Sequence, residues 1–453
     1  MQAPTQARPE AGASKSAASW LNPTALSYAV VFGSLAACFL VTNVTNQFIL
    51  ANSGRIYPLI NNWLIRSQDS LYDFGGKDIP RYSLGAFKDS VFFWSFALLV
   101  WRLRREFLAV FGQFGDALLW KRIILGLLVA SCLILMIFPS GHGLIYSKLS
   151  LNIFLQEPSF WHKRILPLEI ASILHLSGAM YIVFFWCMTA AVIYITNLYL
   201  KSKSLELSTI EIASLCTAGV FSTALGMPGE PEILVLGLAL VAILDFDRSK
   251  KSGPMQIACF GLALMSHESA AIMAFGVLGV FMFGWRFMIG YGVLLGVYVF
   301  AWLLEFGFDY QAASQVQTNF GGTTTYQTLL DHIPLAIFSA LCVFKLLFVV
   351  AVAAIVKLAR AGAFRAAALI ACGLVGGIPL MAGGADFTRM AAFGTFAVVI
   401  ALPVILPSLS PRQRWAGAVA NLAIPAVAIQ GHSGLWTYNG LYGLLLRRLF
   451  GAH

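Results

Sequence analysis

Residues 255–284 read MQIACFGLALMSHESAAIMAFGVLGVFMFG, apolar nearly throughout except for Ser266-His267-Glu268-Ser269 at the centre. A helix crosses the hydrocarbon core of a bilayer with roughly 20 residues. The run is therefore too long for one span, and the polar tetrad is where it breaks. Two short spans, 254–266 and 268–285, then turn sharply at one membrane face. The rest of the chain has the same character: 59% of its 453 residues are hydrophobic and 11% are charged, with mean hydropathy +0.78. A soluble domain carries about 25% charged residues, and a globule of this size cannot hide so much apolar surface from water. The composition excludes a soluble enzyme and implies an all-α, polytopic integral membrane protein.

Working outward from that break, the apolar runs place spans at 26–49, 88–101, 122–139, 170–199, 206–226, 230–246, 254–266, 268–285, 287–306, 333–357, 366–384, 387–406 and 415–431. That is about 13 transmembrane helices, with interfacial helices expected in the outer loops. Residues 1–25, rich in Ala, Ser, Gln and Pro, read as a disordered cytoplasmic tail, and 26–432 as the helical domain. The first span carries no small-residue cleavage site and reads as uncleaved. Long outer loops fall at 50–87, 140–169 and 307–332, and 433–453 reads as an amphipathic tail. Basic clusters such as Arg102-Arg104-Arg105, Lys201-Lys203, Lys250-Lys251 and Arg412-Arg414 share one side, which the positive-inside rule makes the cytoplasm. The net charge of +10 is spread among these loops, a distribution that suits topology and anionic lipid, not nucleic acid. All seven cysteines lie inside apolar runs without C-x-x-C spacing and read as packing residues, not as a disulfide framework or a zinc site.

All seven histidines and most of the twenty acidic residues map to the opposite, outer face. Acid–base chemistry at a membrane surface would use these side chains. Asp69 and Asp73, with Asp78 nearby, are spaced to share one helix face, and crowding would raise one carboxyl's pKa; a solvated turn before Gly75-Gly76 is the alternative. His267 and Glu268 are costly at such depth unless paired or wet, although Glu268 could simply open the next helix. Arg389, in Gly383-Gly384-Ala385-Asp386-Phe387-Thr388-Arg389, sits on the face where positive charge is rare. Its planar donor fork suits a phosphate, or else it pairs with Asp386. Glu230 and Glu232, in Pro228-Gly229-Glu230-Pro231-Glu232, are acids of a helix start, where a capping role suffices by itself and substrate binding is the alternative. Lys345 lies inside an apolar span, where it would neutralise an acid or a lipid phosphate. Trp161-His162-Lys163-Arg164 reads as an interfacial anchor, with His162 and Arg164 available to a substrate. The chain has no Walker A loop, no dinucleotide fingerprint and no H-E-x-x-H.

A cytoplasmic N-terminus, a long acidic first outer loop and short acidic/basic turns between spans resemble the GT-C superfamily of membrane glycosyltransferases. Gln68-Asp69-Ser70-Leu71-Tyr72 followed by Asp78 is similar to Asp-x-x-Leu-Tyr patterns in bacterial members, and Asp386-Phe387-Thr388-Arg389 resembles their Asp-x-Thr-Arg turn. The resemblance implies transfer of a sugar from a polyprenyl-phosphate-linked donor to a glycan, lipid or protein acceptor at the periplasmic face of a bacterial inner membrane. It further implies a first-loop aspartate as base and Arg389, with His267 or Lys345, on the leaving phosphate. No Asp-Glu or Asp-x-Asp pair occurs in the first loop, so no metal ligands are assigned and a divalent metal stays open as the one candidate cofactor. A polysaccharide polymerase or ligase of the same compartment and a proton-coupled transporter are the rival readings.

Overall fold

The computed structural model describes residues 101–111, 115–135, 164–174, 176, 179–227, 229–306, 337–377, 387–424, 428–430 and 434–436. The expected tail 1–25, the first outer loop, the loop 307–332 and most of 140–169 and 433–453 lie outside them. The described chain is helical apart from one short hairpin. In order it forms α1 (Arg104–Phe111), α2 (Ala117–Leu135), α3 (Ile165–Ile173), α4 (Ala179–Ser202), α5 (Thr209–Cys216), α6 (Gly219–Gly226), α7 (Glu232–Ser249) and α8 (Pro254–Ser266). A π-helical segment (Ile272–Phe283) and α9 (Trp285–Phe306) follow. The second half comprises α10 (Ile337–Phe344), α11 (Leu346–Arg360), α12 (Phe364–Val375), α13 (Phe387–Ala392), α14 (Thr395–Ile405) and α15 (Pro411–Ala423). Strands β1 (Ala428–Gln430) and β2 (Gly434–Trp436) pair antiparallel, Ile429 opposite Leu435.

Among the described residues, helices α2 and α4 are each long and apolar enough to cross a membrane; counting two bent pairs as single spans raises the number to four. Several expected spans are divided. The stretch 170–199 becomes α3 and α4, and 206–226 becomes α5 and α6, bent by 71°. The stretch 333–357 breaks by 108° between α10 and α11, and 387–406 becomes α13 and α14. The end of 415–431 is a strand, where a helix was expected. Hydropathy windows average over such breaks, because each is only a few residues long and lies between apolar stretches.

The centre of the bundle is α4, whose residues 192–200 are all buried. Its polar side chains are satisfied within the helix: Thr189 donates to the Phe185 carbonyl, Thr196 to Val192 and Asn197 to Ile193, each at 2.8 Å. That is how a polar residue is accommodated where no water competes. Asp116 caps α2 by accepting from the Leu119 N–H at 3.0 Å, and this bond holds its carboxyl below the usual range. Helix α7 packs on α4 with Gly237 against Val192, where a Cβ would lie 2.7 Å from a Val192 methyl; small residues allow such close approach in membrane bundles. A second core fills the space between α7, α8, the π-helical segment and α9 with Phe246, Phe260, Phe283, Phe287 and Tyr291, in edge and stacked contacts at 5.0–6.1 Å.

The α5–α6 break shows how a divided span satisfies its backbone. Gly219 opens α6 at φ +59°, and the orphaned Val220 N–H donates to the Thr395 hydroxyl at 2.9 Å, which itself donates to the Ala392 carbonyl. An alanine at 219 would meet Thr395 Oγ1 at 2.3 Å and would hold a positive φ that costs an L-residue about 1–2 kcal/mol. Gly219→Ala is therefore expected to lower the melting temperature in detergent, with Gly237→Ala as a comparison of close approach without backbone strain. An unchanged melting temperature would contradict this description of the break.

Candidate functional site

Six ionisable side chains that are far apart in sequence converge at one end of the bundle. Arg164 precedes α3, Glu230 and Glu232 lie at the start of α7, His267 caps α8, Glu268 follows it, and Arg389 stands in the first turn of α13. Each belongs to a helix terminus, so the polar groups gather where the helices end and leave their apolar middles intact. The local reasons are plain in the sequence. Pro231, with φ −79°, forms the N-cap of α7 and projects Glu232 from its first position. His267 adopts an extended conformation (φ −161°, ψ 135°) that terminates α8.

Arg389 is clamped by two buried carboxylates. Its Nη2 lies 2.9 Å from Glu230 Oε2, and its Nε donates to Glu232 Oε1. The Arg389 side chain is 7% exposed, against 0% for Glu230 and 1% for Glu232. Arg164 makes a second fork, donating through Nε to Glu268 Oε2 at 3.3 Å and through Nη2 to Glu268 Oε1 at 3.2 Å. Here the burial is unequal: Arg164 is 3% exposed and Glu268 is 38% exposed. The two forks therefore differ, one sealed inside the protein and one with a carboxylate at the surface.

His267 stands between the forks. Its Nδ1 accepts from the Ser269 N–H at 3.2 Å and lies 2.8 Å from the Ser269 hydroxyl. With Nδ1 an acceptor, the neutral ring carries its proton on Nε2. That atom faces Glu232 Oε1 at 3.6 Å, while Nδ1 is 3.7 Å from Glu268 Oε2. Phe393 covers the ring at 4.9 Å between centroids. Both His267 Nε2 and Glu232 Oε2 are buried without a hydrogen-bond partner among the described residues. The Tyr181 hydroxyl donates to the Gly229 carbonyl at 3.2 Å and so fixes the turn that presents Glu230.

Burial pushes His267 well down, to about 3, and the Arg164 guanidinium adds to this against the Glu268 and Glu232 carboxylates. His267 lies in the turn between α8 and the π-helical segment, outside both, and is neutral at physiological pH. A folded pKa below the unfolded one gives stability that is complete above about pH 6.5. It is lost as the pH falls from there toward 3, because only the unfolded chain takes up the proton. The melting temperature of the protein is expected to decline more steeply over this acid window than that of His267→Gln. Parallel pH profiles would show that the ring is not buried neutral.

These placements compare directly with the sequence reading. Glu230, Glu232, His267, Glu268, Arg164 and Arg389 come together in one cluster. Asp69, Asp73, Asp78, His162 and Asp386 lie outside the described residues. Lys345 stands apart, at the α10–α11 break with φ 53°, and no hydrogen bond or ion pair joins it to the cluster among the described residues. Two expectations change in detail. The partners of Arg389 are Glu230 and Glu232, so the acids assigned to helix capping form its clamp. Glu268, for which opening the next helix was the alternative reading, lies before the π-helical segment and holds Arg164. The roles of Ser269, Tyr181 and Phe393 carry no sequence signal, since a serine beside a histidine and two aromatics in apolar runs are unremarkable.

Among the described residues no group of three or more His, Cys, Asp and Glu side chains could hold a metal ion, and the carboxylates of the cluster are engaged by guanidinium groups. No family model, curated protein or solved structure matches the chain.

Proposed function

We propose that the chain is a polytopic glycosyltransferase of about 13 spans that moves a sugar from a polyprenyl-phosphate donor to a glycan, lipid or protein acceptor. The reaction takes place at the extracytoplasmic face of a bacterial inner membrane. The observation that carries this reading is the unequal pair of forks at the helix ends. Arg389 is locked between two sealed carboxylates and serves as the rigid base of the site. Arg164 faces a half-exposed carboxylate that occupies the position a phosphate would take, since both anions match the same planar donor fork. Arg164 is thus the guanidinium offered to the leaving polyprenyl phosphate. Entry of the phosphate displaces Glu268, and the preorganised cation stabilises the charge that grows on the leaving oxygen. A carboxylate of the first loop (Asp69, Asp73 or Asp78) takes the proton from the acceptor hydroxyl. The hydroxyl oxygen then bonds to the anomeric carbon as the bond from that carbon to the phosphate oxygen breaks.

Proton-coupled transport is the second reading, favoured by the string Glu232–His267–Glu268 and by the two broken helices. The test is to purify the full chain in mild detergent and identify the lipid that co-purifies by fragmentation in a mass spectrometer. A polyprenyl phosphate or its sugar conjugate is expected. Bulk phospholipid alone, together with proton flux in reconstituted vesicles that Glu268→Gln blocks, would overturn the proposal in favour of transport.

A further inference from the structure

A cleft of about 90 Å³ opens between α5, α11, α14 and α15, lined by none of the residues of the ionic cluster. Its walls are apolar, formed by Leu215, Leu346, Val350, Leu402 and Leu406 among others. The polar groups at its inner end are already satisfied. Asn421 donates to the Ser214 carbonyl and hydroxyl at 3.2 and 3.0 Å, and its own carbonyl accepts from the Leu346 N–H, freed by the break at Lys345, at 3.0 Å. The interior therefore offers dispersion contacts and little hydrogen bonding, which suits an alkyl chain.

The mouth is different. Arg414 and Gln413 line it, with Arg414 oriented by Glu211 at 2.6 Å and by the Glu206 carbonyl at 2.8 Å. Arg412 is exposed two positions before Arg414 on α15, on a different face of the helix. Lys357 reaches the Val404 carbonyl, between the lining residues Leu402 and Leu406, at 2.8 Å. Trp415 is 59% exposed beside them; an indole next to arginines marks the headgroup level of a bilayer. Arg412, Arg414 and Lys357 outnumber the carboxylates of Glu206 and Glu211 and give this rim a net positive charge toward an anionic headgroup.

We infer that the cleft holds one acyl chain of an anionic phospholipid of the cytoplasmic leaflet, with its phosphate at Arg414 and Lys357. Gly417 lines the cleft, and a Cβ there would meet nothing within 4 Å. Gly417→Phe can therefore fill the cleft without disturbing a packed neighbour. The experiment is native mass spectrometry of the delipidated full chain titrated with phosphatidylglycerol, phosphatidylcholine and polyprenyl phosphate in turn. Retention of phosphatidylglycerol at least tenfold above phosphatidylcholine is expected. Gly417→Phe should abolish the retained lipid, and Lys357→Gln should remove most of the preference for the anionic one. Retention unchanged in Gly417→Phe would overturn the site, and equal retention of the two phospholipids would overturn the headgroup assignment. Polyprenyl phosphate bound in preference, and displaced by Gly417→Phe, would overturn the phospholipid in favour of the donor lipid.

Discussion

Replacing Arg389 by alanine is expected to destabilise the folded protein by about 3–5 kcal/mol, the range for removing one partner of a buried ion pair. Glu230 and Glu232, 0% and 1% exposed, would both lose the guanidinium that neutralises them. The effect is expected as a large fall in detergent melting temperature and in the yield of monodisperse protein. Arg389→Lys should fall between the two, since an ammonium keeps the charge but not the planar fork that reaches both glutamates. The triple substitution Arg389→Met, Glu230→Gln, Glu232→Gln should recover most of the loss, because the cost arises from uncompensated charge and not from the lost attraction. A triple variant as unstable as Arg389→Ala would show that the fold needs the ion pair itself.

Arg164 should behave in the opposite way. Its partner Glu268 is 38% exposed, so water can solvate that carboxylate when the guanidinium is gone. Arg164→Gln is accordingly expected to fold with little change in melting temperature while losing about 10²–10³-fold in kcat for sugar transfer, the range for removing one preorganised donor from a developing oxyanion. Because the donor's phosphodiester already carries one negative charge when it binds and gains a second as it leaves, KM should rise, with the larger loss in kcat. A raised KM with kcat intact would make Arg164 a binding residue only. Substituting the first-loop base, one of Asp69, Asp73 and Asp78, should cost about 10²–10⁴-fold, as for loss of a general base.

The contrast between the two arginines was only half legible in the sequence. The unusual residues announce themselves by cost: His267 and Glu268 interrupt a thirty-residue apolar run, and Arg389 sits on the face where positive charge is scarce. The pairing does not announce itself, because Arg389 and Glu232 are 157 positions apart and Arg164 and Glu268 are 104 apart. Pro231 and two acids at a helix start are explained by capping alone, which hid Glu230 and Glu232 as a clamp. The all-helical fold followed from composition, whereas the breaks at Gly219 and Lys345 did not. Each depends on a distant side chain, Thr395 for the Val220 N–H and Asn421 for the Leu346 N–H. The hairpin Ala428–Trp436 was missed for a related reason, since a three-residue strand leaves too short an alternation to read.

The most direct test of the proposed activity is release of free polyprenyl phosphate. Proteoliposomes containing the full chain would be given polyprenyl-phosphate sugars extracted from bacterial membranes, together with a mixed glycan acceptor fraction, and the freed lipid phosphate measured over time. The glycosyltransferase reading predicts release that requires acceptor, is reduced about 10²–10³-fold by Arg164→Gln, and is accompanied by sugar on the acceptor. No release above empty liposomes, with vesicles that instead carry a proton current blocked by Glu268→Gln, would contradict it.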